Sequence, residues 1–183
     1  SMEMFRNHGY AGTSTQMLAD VLGVNRYSLY AEFGDKQTLF DAALERYFDE
    51  VIEPRFSPLE APEAGIDEVR EVFEFYASQA DGAASGRGCL LCNTAIELGP
   101  SDPSGAGFVH RYLNRLSDAF RAALANAQTK GQLAAGVDPR EEVEFFTASV
   151  LGLFVMLRAT APPATIEHAA QAAIRHLDTL CAG

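Results

Sequence analysis

A short run of polar and aromatic residues carries the groups best suited to recognising a nucleic acid: Arg26, Tyr27, Ser28 and Tyr30. They lie on a short predicted helix and face outward by elimination, because Leu29 and Phe33 face the core. The planar guanidinium of Arg26 can bond O6 and N7 of guanine together. The pattern predicts a helix face for the major groove of DNA, with Arg26 as the base reader.

Two cysteines form the second group with chemical potential. Cys89 and Cys92 have the spacing of a redox or metal-binding pair, and on a helix they occupy neighbouring positions. Oxidation or alkylation there would displace the helix, so a thiol switch is one hypothesis. However, they lie among Leu90, Leu91 and other apolar residues, and buried cysteines behave mostly as small inert hydrophobes.

Signatures of an enzyme are missing from the sequence, which contains no phosphate-cradling glycine loop, no nucleophile elbow and no metal-binding helix pair. Glu97 and Asp102 are acidic and close together, but the end of a helix explains both. The four histidines have no ligand spacing: His8, His110, His168 and His176. We therefore expect no catalysis, no metal and no cofactor.

Length and composition fit one domain, or a small domain attached to a larger one. The chain has 183 residues, 48% of them hydrophobic, which is enough for a packed core. It has 14 basic and 25 acidic side chains, so its net charge is −11. This charge argues against binding polyanions over the whole surface but allows a local site. With no apolar run near membrane length, no secretion signal and only three cysteines, we expect a cytoplasmic protein without a membrane partner.

Hydrophobic periodicity predicts helices throughout, so the fold class is all-α. In front, Thr13 and Ser14 can cap a short helix that runs to about Leu22, and Gly23 makes a tight turn into a second helix. Ala19, four residues before that glycine, is small enough for two helices to cross closely. The segment predicts a helix-turn-helix, which needs a small residue at the crossing and a glycine at the turn.

Prolines mark a boundary between two predicted domains. After a longer helix capped by Asp35, residues Pro54, Pro58 and Pro62 make a linker. We expect a helix-turn-helix DNA-binding domain over residues 1–54. A predicted helical bundle over residues 66–183 follows.

The front of the chain resembles the DNA-binding domain of the TetR family of transcriptional regulators. The resemblance covers Phe5 to Leu44 almost without gaps and rests on the segments FRNHGYAGTST, LADVLGVNRYSLY and FGDKQTLF. It implies an all-helical homodimer that binds a palindromic operator on double-stranded DNA. The family usually represses transcription until a small molecule releases the protein, so an unknown effector is implied as a partner.

The resemblance also implies roles for residues in and around the second helix. Thr13, Ser14 and Lys36 would lie at phosphates, and Tyr30 would bond the DNA backbone. The groove would be entered by the remaining three residues: Arg26, Tyr27 and Ser28. A lysine at the start of a helix favours an anion on physical grounds as well.

Charge near the predicted DNA-binding face is low for a DNA-binding domain. From Ser1 to Phe40 three basic residues stand against four acidic ones, which gives 3 − 4 = −1. Glu32 would repel a phosphate if it faced one. Ser1–His8 reads as the end of a helix, so we expect the natural protein to begin earlier, with further basic residues.

The resemblance fades beyond residue 66, where a pocket and a dimer face are predicted. Large apolar side chains with a few polar ones are candidates for the effector pocket: Phe73, Tyr76, Asn93, His110, Tyr112, Phe145, Phe154 and Met156. For each aromatic residue core packing is the favoured explanation, because helices of a bundle need such residues whether or not a ligand binds. The last two helices carry a candidate dimer face: Phe146, Val150, Leu153, Leu157, Ala170, Ala173 and Leu177. The alternative is that this face covers the core of the single chain.

Three functions are compatible with these residues. The first is a ligand-responsive regulator that binds DNA as a homodimer, more as a repressor than an activator. The second is a regulator that senses oxidants or electrophiles through Cys89 and Cys92. The third is a helical ligand-binding module that no longer binds DNA.

Overall fold

A computed structural model describes residues 1–82, 85–99 and 103–182, with the backbone alone for 103–105. The described residues form helices joined by loops, which confirms the all-α prediction. Their β structure is limited to an isolated antiparallel bridge between Leu133 and Cys181. The front helices are α1 Met2–His8, α2 Thr15–Leu22, α3 Arg26–Phe33 and α4 Lys36–Tyr47. The rest are α5 Glu53–Phe56, α6 Ile66–Ser78, α7 Leu90–Glu97, α8 Pro103–Thr129, α9 Pro139–Arg158 and α10 Pro163–Leu180.

Side-chain caps begin the three helices that form the helix-turn-helix and its support. Ser14 accepts from the Met17 amide at the start of α2, and Asn25 accepts from the Ser28 amide at the start of α3. Asp35 caps α4 in the same way. Between α2 and α3, Gly23 adopts a left-handed conformation with φ 68° and ψ 27°, which favours glycine. The predicted helix-turn-helix is confirmed.

The predicted linker after Pro54 is wrong as far as Glu60, because the chain remains helical there, whereas residues 61–65 form the turn before α6. A π-helical turn at Phe48–Ile52 joins α4 to α5, and a 3₁₀ turn at Ser57–Glu60 follows. Proline is tolerated in the first turn of a helix, where the missing N–H would have no helical partner. Phe56 and Leu59 are fully buried, so this segment packs into the core.

Helix α8 forms the centre of the C-terminal bundle. Phe120 on α8 is fully buried between aromatic rings from three other helices. Its ring centroid lies 6.2 Å from that of Phe56, 6.3 Å from that of Phe73 and 6.0 Å from that of Phe146. This aromatic cluster joins α5, α6, α8 and α9 into one core.

The predicted dimer face is wrong, since all seven of its residues are buried within the single chain: Phe146, Val150, Leu153, Leu157, Ala170, Ala173 and Leu177. Helices α9 and α10 turn these side chains toward each other and toward α6 and α8. Apolar periodicity predicted correctly that the face is buried, but it could not say what buries it. No described helix is long and apolar enough to cross a membrane.

Truncating the centre of the aromatic cluster should weaken the fold. We expect Phe120→Ala to lower the free energy of unfolding by about 3–5 kcal/mol, because it removes a buried ring and leaves a cavity. Denaturant titration followed by circular dichroism measures this change. Tyr27→Ala is the control: that aromatic side chain is 84% exposed, and we expect a change within about 0.5 kcal/mol. Equal losses in the two variants would contradict the assignment of Phe120 to the core.

Candidate functional site

The outer face of α3 presents the residues that the sequence predicted for DNA contact. Arg26, Tyr27, Ser28 and Tyr30 are all exposed, whereas Leu29 of the same helix is buried against the core. Tyr27 is 84% exposed, which is unusual for an aromatic side chain without a partner. The exposed face lies at the N-terminal part of the helix, where recognition helices contact base edges.

Arg26 and Tyr30 form a small polar cluster with Thr15, a residue that sequence reasoning missed. The Arg26 guanidinium donates to the Thr15 hydroxyl over 3.2 Å. The pKa of Tyr30 is lowered by a hydrogen bond with Thr15 and, to a smaller extent, by one with Arg26. Since Arg26 and Tyr30 lie one helical turn apart, the cluster links α3 to the start of α2 and orients the guanidinium before any DNA arrives.

Three further predicted residues surround the turn between α1 and α2, at Gly9–Ser14. Ser14 is exposed at the N-terminus of α2, as a phosphate contact requires. Lys36 donates to the backbone oxygens of Tyr10 at 3.0 Å and Thr13 at 3.3 Å. An ammonium has three protons, so one remains for a phosphate.

Thr13 does not present its hydroxyl to solvent. Its side chain is fully buried, and the hydroxyl donates to the Gly9 carbonyl over 2.6 Å. The phosphate role that the family resemblance implied for Thr13 is therefore corrected to a structural role for its hydroxyl. It closes the α1–α2 turn on itself and so fixes the position of Ser14.

The same turn is held from the other side by a carboxylate of the C-terminal bundle. Glu97, near the end of α7, accepts from the amides of Tyr10 at 2.9 Å and Ala11 at 2.7 Å. A side chain at Gly9 would collide with this carboxylate. Sequence reasoning explained Glu97 as a helix-end residue and missed this contact, because its partners lie 86 and 87 positions away. Asp102, the other acidic residue noted in the sequence, lies outside the described residues.

A second junction joins α1 to the bundle through its C-terminal carbonyls. Arg158 at the end of α9 donates to Asn7 at 3.1 Å and to Gly86 at 2.8 Å. Arg6 donates to the Gly88 carbonyl at 2.9 Å, and Asn93 donates to the Arg87 carbonyl at 2.8 Å. Asn93, predicted to line the pocket, instead braces the loop before α7.

A cavity of about 300 Å³ lies between the front helices and the bundle, at the small end of the range for ligand pockets. Two wider recesses on the surface of α8 are more open to solvent. We call the more enclosed one the main cavity, and its principal walls are Arg6, Tyr47, Arg55, Phe75, Tyr76 and Phe154. Tyr76 and Phe154 were predicted for the pocket, and their rings meet edge to face at 4.8 Å. The other four were missed, since three of them belong to the segment before residue 66.

The remaining predicted pocket residues are dispersed. Phe73 and Met156 line a separate cleft of about 180 Å³ between α9 and α10. His110 lines a surface recess on α8, and Tyr112 is fully buried, where the Cys89 thiol donates to its hydroxyl at 3.4 Å. Phe145 lies on the surface against His176. The structure therefore brings two of the eight predicted residues to the main cavity.

Both cysteines of the predicted redox pair are buried. Burial, and to a smaller extent the electrostatic effect of the neighbouring Cys89 thiol, raises the pKa of Cys92 to about 12. Burial also raises the pKa of Tyr47 and Tyr112, two tyrosines beside Cys89. Since a thiol reacts as the thiolate, this environment suppresses the reactivity of Cys92.

These features define a class of protein. Two short helices joined at a left-handed glycine, with an exposed polar face on the second, are the helix-turn-helix of a DNA-binding regulator. The family described as "Bacterial regulatory proteins, tetR family" matches residues 1–43, and "Tetracyclin repressor-like, C-terminal domain" matches residues 65–173. The chain belongs to the TetR family of transcriptional regulators, which bind DNA and are not enzymes.

Sequence relatives support this family assignment, and solved structures share the fold. The uncharacterized HTH-type transcriptional regulator YezE of Bacillus subtilis (strain 168) is 32% identical over 162 residues, 88% of this chain and 84% of YezE. The transcriptional repressor ComR of Escherichia coli (strain K12) is 25% identical, covering 86% of this chain and 76% of ComR. A TetR regulator structure from Chloroflexus aurantiacus J-10-FL has a TM-score of 0.85 at 22% identity, over 98% of this chain and 91% of that one.

One similar structure contains DNA. A cysteine-substituted variant of the TetR family regulator CifR, in complex with 26-base-pair operator DNA, has a TM-score of 0.82 and 25% identity. The likeness covers 95% of this chain and 91% of the CifR chain.

Cys92 should resist thiol reagents in the folded protein. At pH 8 a rise in pKa from 9.0 to about 12 lowers its thiolate fraction by about a thousandfold, since each pKa unit is a factor of ten. We expect the Cys89→Ser, Cys181→Ser variant to react with a disulfide reagent at least about a hundredfold more slowly when folded than in denaturant. Comparable rates in the two states would revive the thiol-switch hypothesis.

Proposed function

We propose that this protein is a homodimeric repressor that binds a palindromic operator and is released by a small molecule. The exposed face of α3 carries this proposal, because it presents a preoriented arginine beside polar and aromatic side chains. Recognition helices about 34–36 Å apart in a dimer match successive major grooves. The relative ComR, which is named a transcriptional repressor, supports repression rather than activation.

DNA contacts follow from the groups that remain available. Arg26 exchanges its bond to Thr15 for the O6 and N7 atoms of guanine, with Tyr27 and Ser28 beside it in the groove. Tyr30, Ser14 and the third proton of Lys36 bond phosphates, which orient the protein without reading sequence.

Dimerisation uses the outer faces of α9 and α10 in this proposal, in place of the buried residues. Gly152 and Met156 on α9 and Ala169 on α10 surround the small cleft between these helices. Outside its own helix, none of the described residues comes within 4 Å of a Cβ placed on Gly152, and Ala172 is exposed one turn beyond Ala169. Small residues at a surface allow two helix pairs to approach closely and form a four-helix interface.

In this proposal α7 transmits the effect of the bound ligand to the DNA-binding helices. This helix begins beside the main cavity, where Gly88 forms part of the wall, and ends at Glu97 on the α1–α2 turn. A ligand that moves the start of α7 therefore moves the turn that carries Ser14. A shift in each recognition helix changes their separation, so both half-sites weaken together.

Selection from random duplexes tests the proposal. We expect a palindromic consensus whose half-sites lie about one DNA turn apart, with affinity that falls linearly on a log–log plot against salt. Sedimentation should show a dimer at micromolar concentration. An asymmetric consensus from a monomer would contradict the proposed assembly, and no enrichment at all would contradict operator binding.

Two variants of α3 separate base reading from backbone contact. Arg26→Ala should cost about 1–3 kcal/mol on the preferred duplex and relax the preference at one base position. Tyr30→Phe should weaken binding to every duplex by a similar factor, because it removes a phosphate contact. Fluorescence anisotropy against the consensus and single-base variants measures both. Undiminished selectivity in Arg26→Ala would show that another residue reads the base.

Glu97 should couple the bundle to the DNA-binding helices. Glu97→Ala removes the acceptor of two amides, and we expect operator affinity to fall about 5–30-fold, as for loss of about 1–2 kcal/mol of hydrogen bonding. Glu71→Ala on the exposed surface of α6 is the matched control, since it removes the same charge. Equal changes in both variants would mean that the effect is electrostatic and that Glu97 does not position the turn.

A further inference from the structure

Charge is distributed unevenly around the main cavity. Arg55 lies in its wall, and none of the carboxylates in the described residues is within 4.0 Å of its guanidinium. Its contact is with the Phe75 ring, whose centroid is 3.3 Å from the guanidinium carbon. Most other arginines of the described residues have an acidic partner within 4.0 Å, as Arg115 does with Glu53 and Glu60.

Two other charged residues, Glu50 and Arg6, border the cavity, and each already has a partner of opposite charge. Glu50 accepts from Arg46 over 2.8 Å, so its charge is paired outside the cavity. Arg6 donates to the Gly88 carbonyl and has a carboxylate of Glu3 at 3.6 Å. The group left available for a new ionic contact is therefore the cation of Arg55.

Polar donors and apolar walls complete the lining. Tyr76 is buried, burial raises its pKa, and its protonated hydroxyl has no hydrogen-bond partner among the described residues. Phe75, Phe154 and Leu157 supply apolar surface around it. A planar guanidinium held over an aromatic ring has fewer orientations to lose when it binds a carboxylate with two parallel hydrogen bonds.

We propose that the main cavity binds a small organic acid, with its carboxylate on Arg55 and its aromatic or aliphatic body against Phe75 and Phe154. A volume of about 300 Å³ limits the molecule to a single ring or a short chain. The inference rests on the proposed function, because it takes the main cavity to be the effector site. The cavity lies against Arg6 and Gly88, which join α1 to the start of α7, so a bound acid lies on the route to the DNA-binding helices.

Acids and their isosteric amides provide the test. The probes are benzoate, phenylacetate, 3-phenylpropanoate and hexanoate, each with its primary amide, titrated by calorimetry into the full chain. We expect at least one acid to bind about tenfold or more tightly than its amide, because charge-assisted bonds to the guanidinium require the carboxylate. In Arg55→Gln this preference should fall below about twofold, with amide binding unchanged.

Two controls keep the result specific. Arg121→Gln removes a guanidinium that pairs with Asp118 on the surface of α8, and it should retain the full preference. Arg55→Lys keeps the positive charge if Arg55→Gln fails to fold, and it should preserve part of the preference. Equal binding of acid and amide, a preference that survives Arg55→Gln, or no binding by any acid would each overturn the inference.

Operator binding by the same samples distinguishes the two proposals. A protein that binds its duplex but none of the acids retains the proposed regulatory function and loses the ligand class. A protein that binds an acid through Arg55 but no duplex retains the ligand class and loses the proposed function.

Discussion

The α1–α2 turn is the point on which the placement of the DNA-binding helices depends. Its amides at Tyr10 and Ala11 are held by the Glu97 carboxylate, and its carbonyls at Tyr10 and Thr13 are held by the Lys36 ammonium. In both contacts one partner is charged, and such hydrogen bonds are stronger than neutral ones. The turn is thus held between α4 and α7.

This clamp connects the bundle to the front helices. Ser14 is one residue beyond the clamped segment, and it caps α2, which packs against α3. Arg111 and Arg115 of α8 pair with Glu45 and with the segment after α4, so α4 is tied to the bundle as well. Rigid helices with fixed ends convert a small movement at one end into a displacement at the other.

Sequence reasoning succeeded where the signal is local and failed where it depends on distant partners. The capping of α2 and the turn at Gly23 follow from residue type and spacing within a few positions. The linker failed because Pro54 was read as a breaker, although proline is acceptable in the first turn of a new helix. The dimer face failed because periodicity shows that Phe146 is buried without showing whether its own chain or a second copy buries it. The contact of Glu97 with the α1–α2 turn could not be predicted, because its partners lie far away in the sequence.

Long-range pairing changes the charge balance of α1. Counted by itself, the segment from Ser1 to Phe40 is slightly acidic. In the fold, Arg87 from the bundle lies 3.1 Å from Glu3, and Arg158 donates to carbonyls at the end of α1. Two arginines from beyond residue 66 therefore act on α1, and one of them offsets the charge of Glu3.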